Sequence, residues 1–223
     1  MNKRKISVSV MCSDLLALGK DFRTLEANGV DMLHVDVMDA HFVPNLTFGP
    51  DFIKAMQGFT DLPLDCHFMV TDPWLMLGKL HLRPQDIFTA HVEVETDHAA
   101  LAAEVHAAGA RFGLAVSPDT PVEALEPHLA YLDTVTLMLV YPGFAGAKMV
   151  EGIMEKVGVC RRFLDAHDRP DIEISVDGSV SCERAQYMAG LGASIFVGGT
   201  AGIYRKGMRL EETIPAFRAC IGG

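Results

Sequence analysis

Between Leu33 and Asn45 the sequence reads LHVDVMDAHFVPN, with His34, Asp36, Asp39 and His41 set among Val35, Val37 and Met38. Apolar and ionisable residues alternate from Leu33 through Val37, so a strand is expected, with His34 and Asp36 leaving the same face. A carboxylate on a buried strand face is costly unless a cation, hydrogen-bond donors or open water compensates it. The stretch PLDCHFMV puts Asp65 and His67 on one face by the same period-two rule, and Asp177 ends a third apolar run. Mixed imidazole and carboxylate ligation suits one divalent ion, zinc, iron(II), manganese or cobalt, and suits magnesium less well. His34, Asp36, His67 and Asp177 are the candidate ligands; Asp65 either joins them or orients a neighbour.

These side chains need elements to bring them together. Eight apolar runs punctuate the chain: Ile6–Met11, Met32–Val37, Leu62–Val70, Ile87–Val92, Arg111–Val116, Thr134–Val140, Ile172–Val176 and Ser194–Val197. Helical patterns separate them. Leu15, Leu18, Phe22 and Leu25 recur at helical spacing and stop near Gly29. Thr120, Pro121 and Glu123 form a capping-box signature, and Asp72 before Pro73 is a similar start. Strands separated by helices must run parallel, since parallel neighbours cannot be joined by a hairpin. The expectation is an α/β protein, a single (β/α)8 TIM barrel spanning residues 1–223 as one domain. In that fold functional groups sit where strands run out into the following loops, so His34, Asp36, His67 and Asp177 meet at one mouth. Three glycine-bearing loops open on the same side: PGFAGAKM after strand 6, DGSV after strand 7 and VGGTAG after strand 8. Glycine lets backbone N–H groups approach an anion closely, and barrels often hold a phosphate there.

Composition narrows the partners. A net charge of −10, with no basic cluster beyond KRK near the start, argues against nucleic acid. No apolar run approaches the roughly 18 residues of a membrane span, and the opening residues do not read as a signal peptide, so the expected location is cytoplasmic. Cys12, Cys66, Cys160, Cys182 and Cys220 are odd in number and lack a C-x-x-C pair, which predicts reduced, mostly core thiols. A small anionic ligand then requires a locally built site, and homo-oligomerisation is left open.

The segments HVDVMDAHFVPN, PLDCHFMV, PGFAG, VDGS and the late GGT, in that order, resemble the ribulose-phosphate 3-epimerases over nearly the whole chain. The resemblance implies His34, Asp36, His67 and Asp177 as metal ligands, with Asp36 and Asp177 also the catalytic acid/base pair. It implies Ser9 and His67 as substrate contacts. Gly143, Phe144, Ala145, Gly146, Gly178, Ser179, Gly199 and Thr200 fall around the phosphate of a sugar-phosphate substrate. Met38, Met69 and Met138 resemble the family's methionines near the reacting centre; on pattern alone they read as core. GFAG, VDGS and GTAGIY stand closer to the allulose-6-phosphate 3-epimerase branch. Ala40 replaces the family's usual Gly, where a positive φ would strain the loop carrying His41, and Tyr141 replaces its usual Asn or Asp, where the ring would reshape the substrate end.

Inverting a carbon next to a ketone removes a proton on one face and returns one on the other, through an enediolate, which calls for two alternating acid/base groups. A divalent cation would stabilise the charge on the neighbouring oxygens. The favoured pair is D-allulose 6-phosphate and D-fructose 6-phosphate, the alternative D-ribulose 5-phosphate and D-xylulose 5-phosphate. Two remoter readings are a phosphosugar decarboxylase and a non-catalytic sugar-phosphate sensor. The Asp-x-Lys-x-x-Asp strand of the former is here His34, Asp36 and Asp39, without the lysine; both acid/base aspartates count against the latter.

Overall fold

A computed structural model describes residues 3–222. Strands β1 (Lys5–Ser9), β2 (Met32–Met38), β3 (Leu64–Met69), β4 (Ile87–His91), β5 (Arg111–Val116), β6 (Thr134–Met138), β7 (Glu173–Asp177) and β8 (Ile195–Gly198) run parallel. They close in chain order into a barrel, β8 pairing back to β1. A 3-10 helix (Val122–Tyr131) follows β5. The other strands lead into α1 (Leu18–Ala27), α2 (Pro50–Gln57), α3 (Pro73–Leu77), α4 (His98–Ala107), α5 (Glu155–Ala166), α6 (Cys182–Leu191) and α7 (Leu210–Cys220). The fold is the expected (β/α)8 barrel. Among the described residues, no helix is long and apolar enough to cross a membrane.

Period-two alternation divides every strand between two environments. Val8, Leu33, Val35, Phe68, Phe88 and Phe112 join the apolar core shared with the helices. Phe68, Phe88 and Phe112, on successive strands, stack with ring centroids 4.2 and 6.5 Å apart. Burying each ring contributes about 2–3 kcal/mol. The intervening positions are buried polar residues: Ser7 and Ser9, His34 and Asp36, Asp65 and His67, Thr89 and His91. Strand register then fixes their heights. His34 lies beside Asp65 and Asp36 beside His67 across β2 and β3, while Met138 lies beside Asp177 across β6 and β7.

Four local expectations are corrected. β1 stops at Ser9 and Val10–Cys12 turn into a 3-10 helix, because the pairings to β2 and β8 end at Ser9 and Val8. Leu15 precedes α1 and is 52% exposed: the turn in which Ala17 N–H reaches the Asp14 carbonyl delays the helix to Leu18. The Thr120 capping box is absent. Pro121 takes the cap position without a side-chain hydrogen bond, and Pro127, which lacks an N–H and crowds the preceding turn, leaves a 3-10 helix. The Asp72 cap does form, accepting from Leu75 N–H. Finally, Cys182 and Cys220 are joined in a disulfide, Cα atoms 5.5 Å apart, tying the first residue of α6 to the last of α7; Cys12, Cys66 and Cys160 are free thiols.

Candidate active site

β2, β3 and β7 deliver four ligand atoms to one point at the C-terminal mouth. His34 Nε2 lies 3.2 Å from Asp36 Oδ1 and 3.6 Å from Asp177 Oδ2. His67 Nδ1 lies 3.5 and 3.7 Å from the same two oxygens. All four atoms fall within 4.8 Å of one another. A tetrahedron with ligand bonds of about 2.0–2.2 Å has edges of roughly 3.3–3.6 Å, so the spacing fits a divalent ion. The two ring nitrogens are buried and have no hydrogen-bond partner, the condition expected of lone pairs held for a ligand. These residues are thus placed to hold a metal ion.

Neighbours aim the lone pairs. Asp65 does not join the ligands; its Oδ2 accepts from Ser7 Oγ at 2.9 Å and from His34 Nδ1 at 2.8 Å, leaving His34 Nε2 free. Ser9 Oγ donates to Asp36 Oδ2 at 3.0 Å, so Oδ1 faces the cluster. His67 presents its other nitrogen, Nε2, to His91 Nε2 at 2.9 Å, and His91 Nδ1 reaches Glu93 Oε2 at 2.9 Å.

The electrostatics ask for positive charge at this point. Burial opposes charging the His34 ring, yet Asp36, Asp65 and Asp177 hold its pKa well above the usual histidine value. Burial likewise opposes the Asp36 carboxylate, and His34 and His67 overcome it, taking Asp36 far below the ordinary range. His91 differs: burial brings it down to about 4 despite Glu93.

A cleft opens above the cluster. Asp36 and Asp177 line it from strands three apart around the barrel, while His34 and His67 lie beneath, 0% exposed. Ser9, Met38, Met69 and Met138 line it, as do the three glycine loops with Gly143, Phe144, Ala145, Gly146, Gly178, Ser179, Gly199 and Thr200. His67 alone among the expected substrate contacts does not border the cleft. Met11, Cys12 and Val140 also line it and went unread. Their signal was positional, since each lies at or just beyond a strand's C-terminal end.

The loops carry the unusual backbone. Gly178 has φ +109°, and a Cβ there would meet Val140 Cγ2 at 2.6 Å, so only glycine fits. Ser179 follows with φ 54° and receives Arg184 Nη1 on both its carbonyl and its hydroxyl at 2.7 Å. Ala40 has φ 61°, a left-handed conformation that normally favours glycine. Asp39 holds this turn by accepting from the N–H groups of His41, Phe42 and Thr71. His41 is exposed and stands apart from the cluster. Tyr141 is 56% exposed, bonds Asp119 through its hydroxyl at 3.1 Å, and does not line the cleft.

The family model of the ribulose-phosphate 3 epimerase family matches residues 5–203. A ribulose-phosphate 3-epimerase of Bacillus subtilis (strain 168) is 36% identical over 197 residues, 88% of this chain and 91% of its own length. One from Rhodobacter capsulatus is 38% identical over 204 residues, 91% of this chain and 87% of its own. Among solved structures, a 3-hexulose-6-phosphate synthase superposes with TM-score 0.64 at 15% identity, over 98% of this chain and 100% of that one. KGPDC from Streptococcus mutans gives TM-score 0.68 at 13% identity, over 99% and 98%. At such identities these two speak for the fold alone.

Proposed function

Given that this chain belongs to the ribulose-phosphate 3 epimerase family and is an isomerase, we propose that it epimerises C3 of a ketose phosphate in a metal-dependent reaction. The observation that carries this is the pair Asp36 and Asp177, two carboxylates entering one cleft from separated strands above two buried histidines. One carboxylate removes the C3 proton while the other returns a proton to the opposite face, and their roles exchange in the reverse direction. His34, Asp36, His67 and Asp177 would hold a divalent ion, which would supply Lewis-acid stabilisation of the negative charge on the substrate oxygens. Ser9 fixes the Asp36 rotamer through its 3.0 Å hydrogen bond. Met38, Met69 and Met138 line the cleft with groups that neither donate nor take protons, which keeps water from the reacting carbon.

Gly143–Gly146, Gly178–Ser179 and Gly199–Thr200 line the cleft, and their backbone N–H groups would bind the terminal phosphate. The variants Ala145, Ser179 and Ala201 favour D-allulose 6-phosphate as substrate. The names of the relatives favour D-ribulose 5-phosphate as the second reading. The test is kcat/KM for both phosphates and for free allulose, with metal-free and metal-restored protein. Activity lost on metal removal and regained on addition is expected. Full activity without metal would reject the metal's role, and a preference for D-ribulose 5-phosphate above about tenfold, some 1.4 kcal/mol, would reject the six-carbon substrate. Equal rates with free allulose would reject the phosphate loops.

A further inference from the structure

The end of β4 contributes His91 and Glu93, which neither border the cleft nor belong to the ligand cluster. Their geometry is nonetheless directional. His67 Nε2 and His91 Nε2 face each other at 2.9 Å, so one ring donates and the other accepts. A carboxylate only accepts, and Glu93 Oε2 sits 2.9 Å from His91 Nδ1, so that nitrogen carries the proton. With that proton on Nδ1, the fully buried His91 ring offers the lone pair of Nε2 to His67 Nε2–H. The proton of His67 is thereby fixed on Nε2, which leaves the lone pair on Nδ1, the atom that points into the cluster and has no other partner.

We propose that Glu93 and His91 are positioning residues that set the tautomer of His67 and so make its Nδ1 a metal ligand. The inference rests on the metal-binding reading above and adds to it the device that readies the ligand. Glu93 is well anchored for the task. Its other oxygen, Oε1, accepts from Ser117 N–H at 2.8 Å, and the Ser117–Thr120 loop is held by Lys156, whose ammonium donates to the Ser117 and Pro118 carbonyls at 2.7 and 3.1 Å. The His91 ring is packed between His67 and Phe42, with centroids 5.0 and 4.6 Å away.

This arrangement makes Glu93→Gln an inverting substitution. Ser117 N–H requires an acceptor, so the amide oxygen turns to it and the amide nitrogen faces His91 Nδ1 as a donor. His91 then carries its proton on Nε2, His67 Nε2 must accept, and the His67 proton moves to Nδ1, where it blocks ligation. The side chain is a quarter exposed and nearly isosteric with glutamine, so the fold tolerates the change.

The experiment reads the tautomer and the affinity separately in the full chain. Long-range 1H–15N correlation on the metal-free protein assigns the protonated nitrogen of His67, and competition with a chromophoric chelator measures zinc affinity. Wild type is expected to protonate Nε2 and Glu93→Gln to protonate Nδ1, with zinc affinity 10–100-fold lower. Glu95→Gln removes the same charge two residues on, without a contact to this chain of bonds, and is expected to change affinity by less than twofold. A His67 proton that stays on Nε2 in Glu93→Gln overturns the proposal, as does unchanged zinc affinity or an equal loss in Glu95→Gln. A wild-type protein that binds no zinc would count against the metal reading alone, because the proton assignment is made without metal.

Discussion

Breaking the Cys182–Cys220 bond is expected to cost about 4 kcal/mol of stability. The bonded residues are 38 apart in sequence. In the chain-entropy account, closing a loop of that length removes about 13 cal/mol/K from the unfolded ensemble, which is about 4 kcal/mol at 25 °C. Both cysteines are partly exposed, so serine at each position adds little strain of its own. The assay is urea unfolding of the Cys182→Ser/Cys220→Ser variant beside the oxidised wild type. With a slope of about 3 kcal/mol per M, the midpoint should fall by a little over 1 M. Wild type treated with reductant should move to the variant's midpoint, while the variant itself should not respond. A shift below about 0.2 M, or a wild type indifferent to reductant, would refute the clasp between α6 and α7.

Gly178→Ala places a methyl 2.6 Å from Val140 Cγ2 at φ +109°, and overpacking plus left-handed strain should cost about 2–5 kcal/mol. Because the residue adjoins Asp177 and borders the cleft, KM for the phosphorylated substrate should rise and kcat fall, and steady-state kinetics unchanged from wild type would contradict the loop's role. Asp39, which burial alone would push up, is drawn down to about 2 by the backbone N–H groups of Thr71, Phe42 and His41. A folded pKa depressed below the unfolded value of about 3.9 contributes stability that is full above that value and is lost as pH falls toward 2. Asp39→Asn should therefore be less stable than wild type at neutral pH, with the gap closing between about pH 4 and 2; a gap independent of pH would be inconsistent with the carboxylate anchoring this turn.

Much of the site was readable because strand periodicity and barrel topology act together. His34 and Asp36 share a face by spacing alone, and closure of eight parallel strands in chain order brings β2, β3 and β7 around one mouth. Spacing did not decide between ligand and neighbour for Asp65, since both roles need the same strand face; the choice depends on register, which sets Asp65 beside His34 and one layer deeper than Asp36. His91 and Glu93 were visible as polar residues at a strand end, but their part depends on which nitrogen of His67 turns toward β4. The Cys182–Cys220 pairing depends on α6 and α7 being neighbours in the outer ring, a contact that neither helix's own sequence records. Ala40 was singled out as standing where a positive φ would strain the loop, and its φ of 61° is that conformation, stabilised by the three N–H groups converging on Asp39.

The central claim is that Asp36 and Asp177 exchange a proton at C3 with solvent from two sides. Single-turnover reaction in D2O, with the C3 hydrogen of the product read by NMR, tests it most directly. The account predicts one deuterium at C3 of every product molecule formed, because the proton delivered by the second carboxylate comes from solvent, and near-complete loss of product formation in metal-loaded Asp36→Asn and Asp177→Asn. Product that retains the substrate's own C3 hydrogen, or metal-loaded variants that turn over at near wild-type rates, would contradict it.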